Sequence, residues 1–90
     1  MQKTPGVQKK AEKSGYDFFA RMGKPLSMQA RQAGYNQCLA MGLDKEMAFR
    51  ATAAVADSLE RDQPYEAQAK GMQFLDCTGM YRLMATLLAT

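Results

Sequence analysis

Residues 30–42 have the sequence ARQAGYNQCLAMG, and this stretch decides the fold because small side chains recur in it at every fourth position. The row consists of Ala30, Gly34, Cys38 and Gly42. A step of four residues follows one face of an α-helix. The row therefore predicts a helix with a narrow face against which a second helix can pack closely.

Two other stretches repeat the same pattern of alanine, glycine, apolar residue and glycine. They are Ala11, Gly15, Phe19 and Gly23, and Ala67, Gly71, Leu75 and Gly79. Glycine inside a helix costs about 0.5–1 kcal/mol relative to alanine, so a close neighbour must offset that cost. We therefore expect Gly15, Gly34 and Gly71 to lie at interfaces between helices, within the fold or with a partner.

Large side chains stand beside these rows. Tyr16 and Tyr35 directly follow the first glycine of their rows. Neighbouring residues lie about 100° apart around a helix, so each tyrosine flanks the narrow face without filling it. Tyrosine at the edge of such a groove can anchor a second helix of the same chain or of a partner, which makes both tyrosines candidate interface residues.

The composition indicates an all-α protein. The chain has 90 residues, and its only β-branched aliphatic residues are Val7 and Val55. Such residues favour strands, so their scarcity favours helices. The length suits one domain. We expect a compact single-domain bundle of four to five short helices, with close crossings at the alanine and glycine rows, over residues 1–90. Residues 1–4 are expected to form a flexible basic N-terminus.

Caps and breakers predict where the helices lie. Ser27 and Asp44 are suitable N-caps, and glycine or proline follows several apolar segments. The expected helices span about 5–22, 28–41, 45–61 and 64–78, followed by a last amphipathic helix from about residue 80. The third should be central because it is apolar on two sides. Its main stripe consists of Met47, Ala51, Ala54, Val55, Ser58 and Leu59, and its second apolar strip consists of Phe49, Ala53 and Ala56. Gly79 is expected either to end the fourth helix or to lie in a kink.

Basic residues are concentrated near the N-terminus. Residues 1–31 contain seven basic and two acidic residues, a net charge of +5, whereas residues 32–90 contain five basic and seven acidic residues, a net charge of −2. On the first predicted helix, the basic side chains lie roughly opposite an apolar stripe. These basic residues are Lys9, Lys10, Lys13, Arg21 and Lys24. Such a face is suited to an acidic protein surface or to the phosphates of a nucleic acid.

Four of the nine acidic residues have a basic residue four positions later, which is the favourable order on a helix surface. The pairs are Asp17–Arg21, Glu46–Arg50, Asp57–Arg61 and Glu66–Lys70. Carboxylates paired on solvated helix faces are poor candidates for catalysis. The sequence also contains no histidine, phosphate-binding loop or paired-cysteine metal motif. We therefore expect no enzymatic activity, no catalytic residue, no cofactor and no metal site.

Cys38 and Cys77 fall on or beside apolar stripes, and we expect both to be buried. Two cysteines without paired spacing are typical of a reducing compartment. The first thirty residues lack the apolar segment of a signal peptide. The longest apolar stretch, residues 80–89, is interrupted by Arg82 and is shorter than the ~20 residues that span a bilayer. These features predict a cytoplasmic protein without a membrane partner.

Two function classes follow from these observations. The first is a non-enzymatic regulator or inhibitor that docks on a larger protein or nucleoprotein through its basic first helix. Its eight methionines also suit an adaptable binding surface, and a second copy of the chain is a further candidate partner. Small basic proteins without motifs are often encoded by phages and plasmids, which suggests such an origin.

The second class is a DNA-binding transcriptional regulator in which residues 34–54 form a helix-turn-helix, acting as a dimer. Asp44 and Glu46 would stand at the front of the recognition helix, where two acidic side chains oppose the phosphates of DNA. The sequence therefore favours the first class.

Overall fold

The computed structural model describes residues 22–89, which form a small all-α bundle without strands. Its helices are α1 (Met28–Ala40), α2 (Lys45–Glu60), α3 (Pro64–Gly71) and α4 (Cys77–Ala89). The predicted fold class is confirmed for this part of the chain. The predicted helix at 5–22 and the predicted flexible residues 1–4 lie outside the described residues, except for Met22.

The first two helices begin at the predicted caps. The Ser27 hydroxyl accepts a hydrogen bond from the Ala30 amide at 3.0 Å, and an Asp44 carboxylate oxygen accepts one from the Met47 amide at 2.8 Å. Each cap satisfies a backbone donor that the helix itself cannot pair. After α1 the chain turns at Gly42, whose φ of +103° is one that residues with side chains rarely adopt.

The bundle is built around α2, which contacts each of the other described helices. Helices α1 and α2 run antiparallel along their whole lengths. The Leu26 amide donates to Glu60 at 2.6 Å at one end of the pair, and the Cys38 thiol lies 3.6 Å from the Thr52 hydroxyl towards the other end. Helix α4 also contacts each of the other described helices, so α2 shares the predicted central position with it.

The core consists mainly of leucine, methionine, valine and small side chains. Its largest fully buried members are Val55, Leu59, Met80, Leu83, Leu87 and Leu88. Ala48 belongs to the core, whereas Met47, which the predicted buried stripe of α2 included, is 43% exposed. The one-position difference rotates the buried face of α2 by about 100° at its first turn.

The predicted fourth helix is divided in two. Helix α3 ends at Gly71, and residues 72–76 form turns before α4 begins. Asp76 accepts hydrogen bonds from the Gly79 amide through its side chain, at 2.7 Å, and from the Met80 amide through its carbonyl, at 2.9 Å. Asp76 is therefore the N-cap of α4. Gly79 lies buried in the first turn of α4, so both positions predicted for it were wrong.

Candidate docking surface

Most of the predicted basic face lies beyond the part of the chain that the structure describes. Lys9, Lys10, Lys13 and Arg21 are outside residues 22–89, and so are the predicted interface residues Gly15 and Tyr16. Lys24 is exposed in the turn that precedes α1. Gly34, Tyr35 and Gly71 are described, and they occupy different environments.

Gly34 and Gly71 are buried where helices of this chain cross. A Cβ atom on Gly34 would lie 2.8 Å from Cδ2 of Leu87 and 3.1 Å from Cδ1 of Leu83, so this glycine lets α1 approach α4 closely. A Cβ atom on Gly71 would lie 2.5 Å from Cγ of Met80. Glycine within a helix lowers its stability, so we expected close neighbours at both positions, and these side chains are those neighbours. At both positions the interface is one within the fold.

Tyr35 is half-buried at the edge of an open groove between α1 and α2. The groove has a cavity volume of about 390 Å³ and a largely apolar lining. Met28, at the start of α1, is 80% exposed, and Phe49, on α2, is 67% exposed. Ala53, Arg31 and Lys45 also line the groove. Exposed apolar side chains that share one groove are typical of an interaction surface.

Sequence reasoning did not find this groove. It assigned Phe49, Ala53 and Ala56 to a second apolar strip of the central helix. Ala56 is buried and Ala53 is half-buried, but Phe49 is exposed. The apolar spacing of Met28 and Tyr35 on α1 was the available signal, because those side chains face the same side as Phe49. Periodicity identifies an apolar face, but it does not show whether a neighbouring element covers that face.

Four of the seven acidic residues within residues 22–89 form ion pairs. Glu46–Arg50 and Glu66–Lys70 occur as predicted, with nitrogen–oxygen distances of 2.8 and 3.3 Å. The predicted pair Asp57–Arg61 does not form. Asp57 instead contacts Arg31 across the α1–α2 interface at 3.1 Å. The predicted pair Asp17–Arg21 lies outside the described residues.

Arg31 joins the two helices by a double contact. Its guanidinium lies 3.1 Å from Asp57 and 3.0 Å from Glu60, and Glu60 also accepts the Leu26 amide. These contacts fasten the segment before α1 to the last turn of α2. The carboxylates of Asp57 and Glu60 therefore hold helices together.

Ser58 and Glu66 form a second polar cluster, between α2 and α3. The buried Ser58 hydroxyl lies 3.1 Å from the Ala54 carbonyl and 3.0 Å from Glu66, so it is a donor with two nearby acceptors. Glu66 also contacts Arg61 and Lys70. The hydrogen bond from Ser58, followed by the contacts with Lys70 and Arg61, lowers the pKa of Glu66 below its ordinary value. The cluster keeps Glu66 ionised at the α2–α3 junction.

The cysteines differ in burial, and both are free thiols. Cys38 is fully buried beside Thr52, and burial raises the pKa of its thiol, against a smaller opposing effect of that contact. Cys77 is exposed as the first residue of α4, so its predicted burial was wrong. The predicted stripe continued across the Asp76 cap, where the chain changes direction.

Within residues 22–89, no group of three or more histidine, cysteine or acidic side chains is placed to hold a metal ion. None of the helices described above combines the length and the apolar character needed to cross a membrane. Comparisons of the chain with protein-family models, with curated proteins and with solved structures gave no match.

Proposed function

We propose that this chain is a non-enzymatic interaction protein, a regulator or inhibitor, that docks through its basic N-terminal segment on an acidic surface of a larger protein or nucleoprotein. The observation that carries the proposal is the separation of charge along the chain. Residues 22–89 contain seven basic and seven acidic residues and are electroneutral, so the net charge of +3 comes entirely from residues 1–21.

The contacts within the bundle support this division. Four of its seven basic residues, Arg31, Arg50, Arg61 and Lys70, are in ion pairs with acidic residues of the same bundle. A charge that is paired within the fold attracts an external partner weakly. The basic residues of the N-terminal segment therefore provide the field that steers an acidic partner to this protein.

The arrangement of polar groups favours binding over catalysis. The carboxylates of Asp57 and Glu60 are held by Arg31, and the Ser58 hydroxyl is buried among its own hydrogen-bond acceptors. The largely apolar groove between α1 and α2 presents surface for a helix more than groups for acid–base chemistry.

The same geometry favours docking over the helix-turn-helix alternative at residues 34–54. The two helices of a DNA-binding helix-turn-helix cross at a steep angle, so that the second projects into the major groove. Here α1 and α2 stay in contact from Cys38–Thr52 to Arg31–Asp57, as in a closed helical hairpin. Arg50, a candidate for base contacts, is paired with Glu46.

A salt-dependent binding experiment tests the proposal. Fluorescence anisotropy is measured with labelled poly-glutamate and with random-sequence duplex DNA, over a series of salt concentrations. The variant K9E/K10E/K13E is compared with K45E/K70E/R82E, which has the same net charge but reverses basic residues of the bundle. We expect the first variant to weaken binding to an acidic probe by about tenfold or more and the second by about twofold or less.

Equal losses in the two variants, or no binding of either probe at low salt, would refute docking by the N-terminal segment. If only DNA binds and substitutions of Lys45 and Arg50 change its sequence preference, the helix-turn-helix alternative is correct. Capture of the partner from the native host, with K9E/K10E/K13E as the control bait, then identifies the acidic surface.

A further inference from the structure

The groove between α1 and α2 is an apolar surface that the described helices leave open. Met28 on α1 and Phe49 on α2 are both largely exposed, although both side chains line the groove. The opposite side of α1 is closed by the leucines of α4 at Gly34. Large apolar side chains that share one exposed groove are typical of a surface that another molecule covers.

The residues that line the groove follow the helical repeat on both of its sides. They stand at positions 28, 31, 32 and 35 on α1 and at positions 45, 49, 52 and 53 on α2. Each set covers about two turns, or about 10–12 Å along the helix axis. Two helices that lie side by side leave a furrow into which the side chains of a third helix fit, at a spacing of three and four residues. The groove therefore has the periodicity of a helix-binding surface.

The charge of the groove indicates which kind of helix it suits. Among the described residues that line it, Arg31 and Lys45 are basic and none is acidic. Arg31 is already neutralised by Asp57 and Glu60. Lys45 is exposed, and it forms no ion pair with any residue in the part of the chain that the structure describes. An apolar surface bordered by such an ammonium group complements an apolar stripe flanked by a carboxylate.

The same observations disfavour other occupants. A symmetric dimer through this groove would place the surface against itself, with Lys45 of one copy facing a lining that has no described acidic residue. A nucleic acid requires several phosphate contacts, whereas Lys45 is the one lining cation without an acidic partner within residues 22–89. A small molecule is normally enclosed on most sides, and the exposure of Met28 and Phe49 shows an open surface.

We propose that the groove between α1 and α2 binds an acidic amphipathic helix of a partner protein. The apolar stripe of that helix packs on Met28, Tyr35 and Phe49, and a carboxylate beside the stripe contacts the Lys45 ammonium group. Aromatic side chains are frequent anchors of such interfaces, and methionine adapts its shape to the partner. The inference goes beyond the proposed function, because it assigns a second docking surface that does not depend on the basic N-terminal segment.

Fluorescence anisotropy with two labelled synthetic peptides of about 15 residues, or about four helical turns, tests the proposal. One peptide carries leucines at a spacing of three and four residues with glutamates beside them, and the other contains the same residues in scrambled order. Both peptides have the same charge, so the N-terminal segment attracts them equally, and the ratio of their affinities reports on the groove. We expect the full chain to bind the amphipathic peptide about tenfold or more tightly than the scrambled one.

Phe49→Ser should bring this affinity ratio close to one, because it removes the largest apolar contact without changing the charge. Tyr65→Ser is the matched control, since Tyr65 is an exposed aromatic residue on α3, outside the groove, and this variant should keep the ratio. Lys45→Glu should weaken binding of the amphipathic peptide several-fold and strengthen binding of a version in which lysine replaces each glutamate. Thermal melts verify that each variant remains folded.

A ratio near one in the unsubstituted chain, or an equal loss in Phe49→Ser and Tyr65→Ser, would overturn the proposal. Sedimentation that shows a dimer of the unsubstituted chain and a monomer of Phe49→Ser would also overturn it, because the groove would then bind a second copy. K9E/K10E/K13E should weaken binding of both peptides by the same factor and keep their ratio. Failure of docking by the N-terminal segment is therefore distinguished from failure of binding in the groove.

Discussion

The two sides of α1 show how side-chain size decides where helices pack. On one side, Ala30, Gly34 and Cys38 are buried, and the glycine allows the leucines of α4 to approach within contact distance. On the other side, Met28 and Tyr35 border an open groove with Phe49. On the closed side, the large leucine side chains of α4 pack against a face of small residues on α1. The open side carries large residues that the described helices leave exposed.

The largest effect should come from removing a partner on the closed side. Leu87 is fully buried, and its Cδ2 atom lies above Gly34. Leu87→Ala should lower the free energy of unfolding by about 2–5 kcal/mol, because it removes buried methyl groups and leaves a cavity. Denaturant titration measures the change. Tyr81→Ala, at a half-exposed position on the same helix, should cost about 1 kcal/mol or less. Similar losses in both variants would show that the α1–α4 crossing is not closely packed.

A smaller effect should follow from enlarging the narrow face itself. Gly34→Ala brings a Cβ atom within 2.8–3.2 Å of Leu87, Leu83 and Thr52. Overpacking of this kind costs about 1–3 kcal/mol, and the better helix propensity of alanine returns about 1 kcal/mol. We expect a net destabilisation of about 0–2 kcal/mol by the same titration. Gln32→Ala, on the open side of the same helix, should stay within about 0.5 kcal/mol. A more stable Gly34→Ala variant would contradict the close crossing.

A substitution at the α2–α3 junction tests whether polar contacts at the edge of the core contribute to the stability of the fold. Because the pKa of Glu66 is lowered in the folded state, its ionisation stabilises the fold at pH values above the ordinary 4.5. This contribution falls as the pH drops through the lowered pKa. Glu66→Gln should therefore be less stable than the unsubstituted chain at neutral pH, and the difference should disappear in acid. Thermal melts across the pH range measure it, and a difference that does not change with pH would exclude this linkage.

Local signals predicted much of the fold. Ser27 and Asp44 cap the helices that they were expected to cap, because an N-cap acts on amides two or three residues away. The narrow faces at Gly34 and Gly71 followed from the same short-range spacing. The Asp76 cap was missed because the row of alanine and glycine continues across this residue. Its regular spacing predicted one continuous helix, although Asp76 is a suitable N-cap.

The features that sequence reasoning missed depend on distant parts of the chain. Asp57 has Arg61 at the favourable spacing, but the hairpin brings Arg31 to the same carboxylate from 26 positions away. The groove has the same origin. The apolar character of Phe49 is visible in the sequence, but its exposure depends on where α1 ends and on which helix lies above it. Such facts follow from tertiary packing, which spacing along one helix does not determine.

The smallest effect concerns the ion pair beside the open groove. Glu46 and Arg50 are 2.8 Å apart, and their side chains are 71% and 62% exposed. A double-mutant cycle with Glu46→Gln and Arg50→Ala should give a coupling energy of about 0.2–0.5 kcal/mol at low salt, because water and ions screen an exposed pair. Added salt should remove this coupling.

The coupling energy of Glu46 and Arg50 also indicates whether this edge of the groove is covered in solution. Arg50 follows Phe49 on α2, so a helix that covered this edge would exclude water from the pair and strengthen it. A coupling energy of about 1 kcal/mol or more that persists in high salt would show that the edge is covered in solution. A weak coupling that added salt removes would show that the charged edge lies in water.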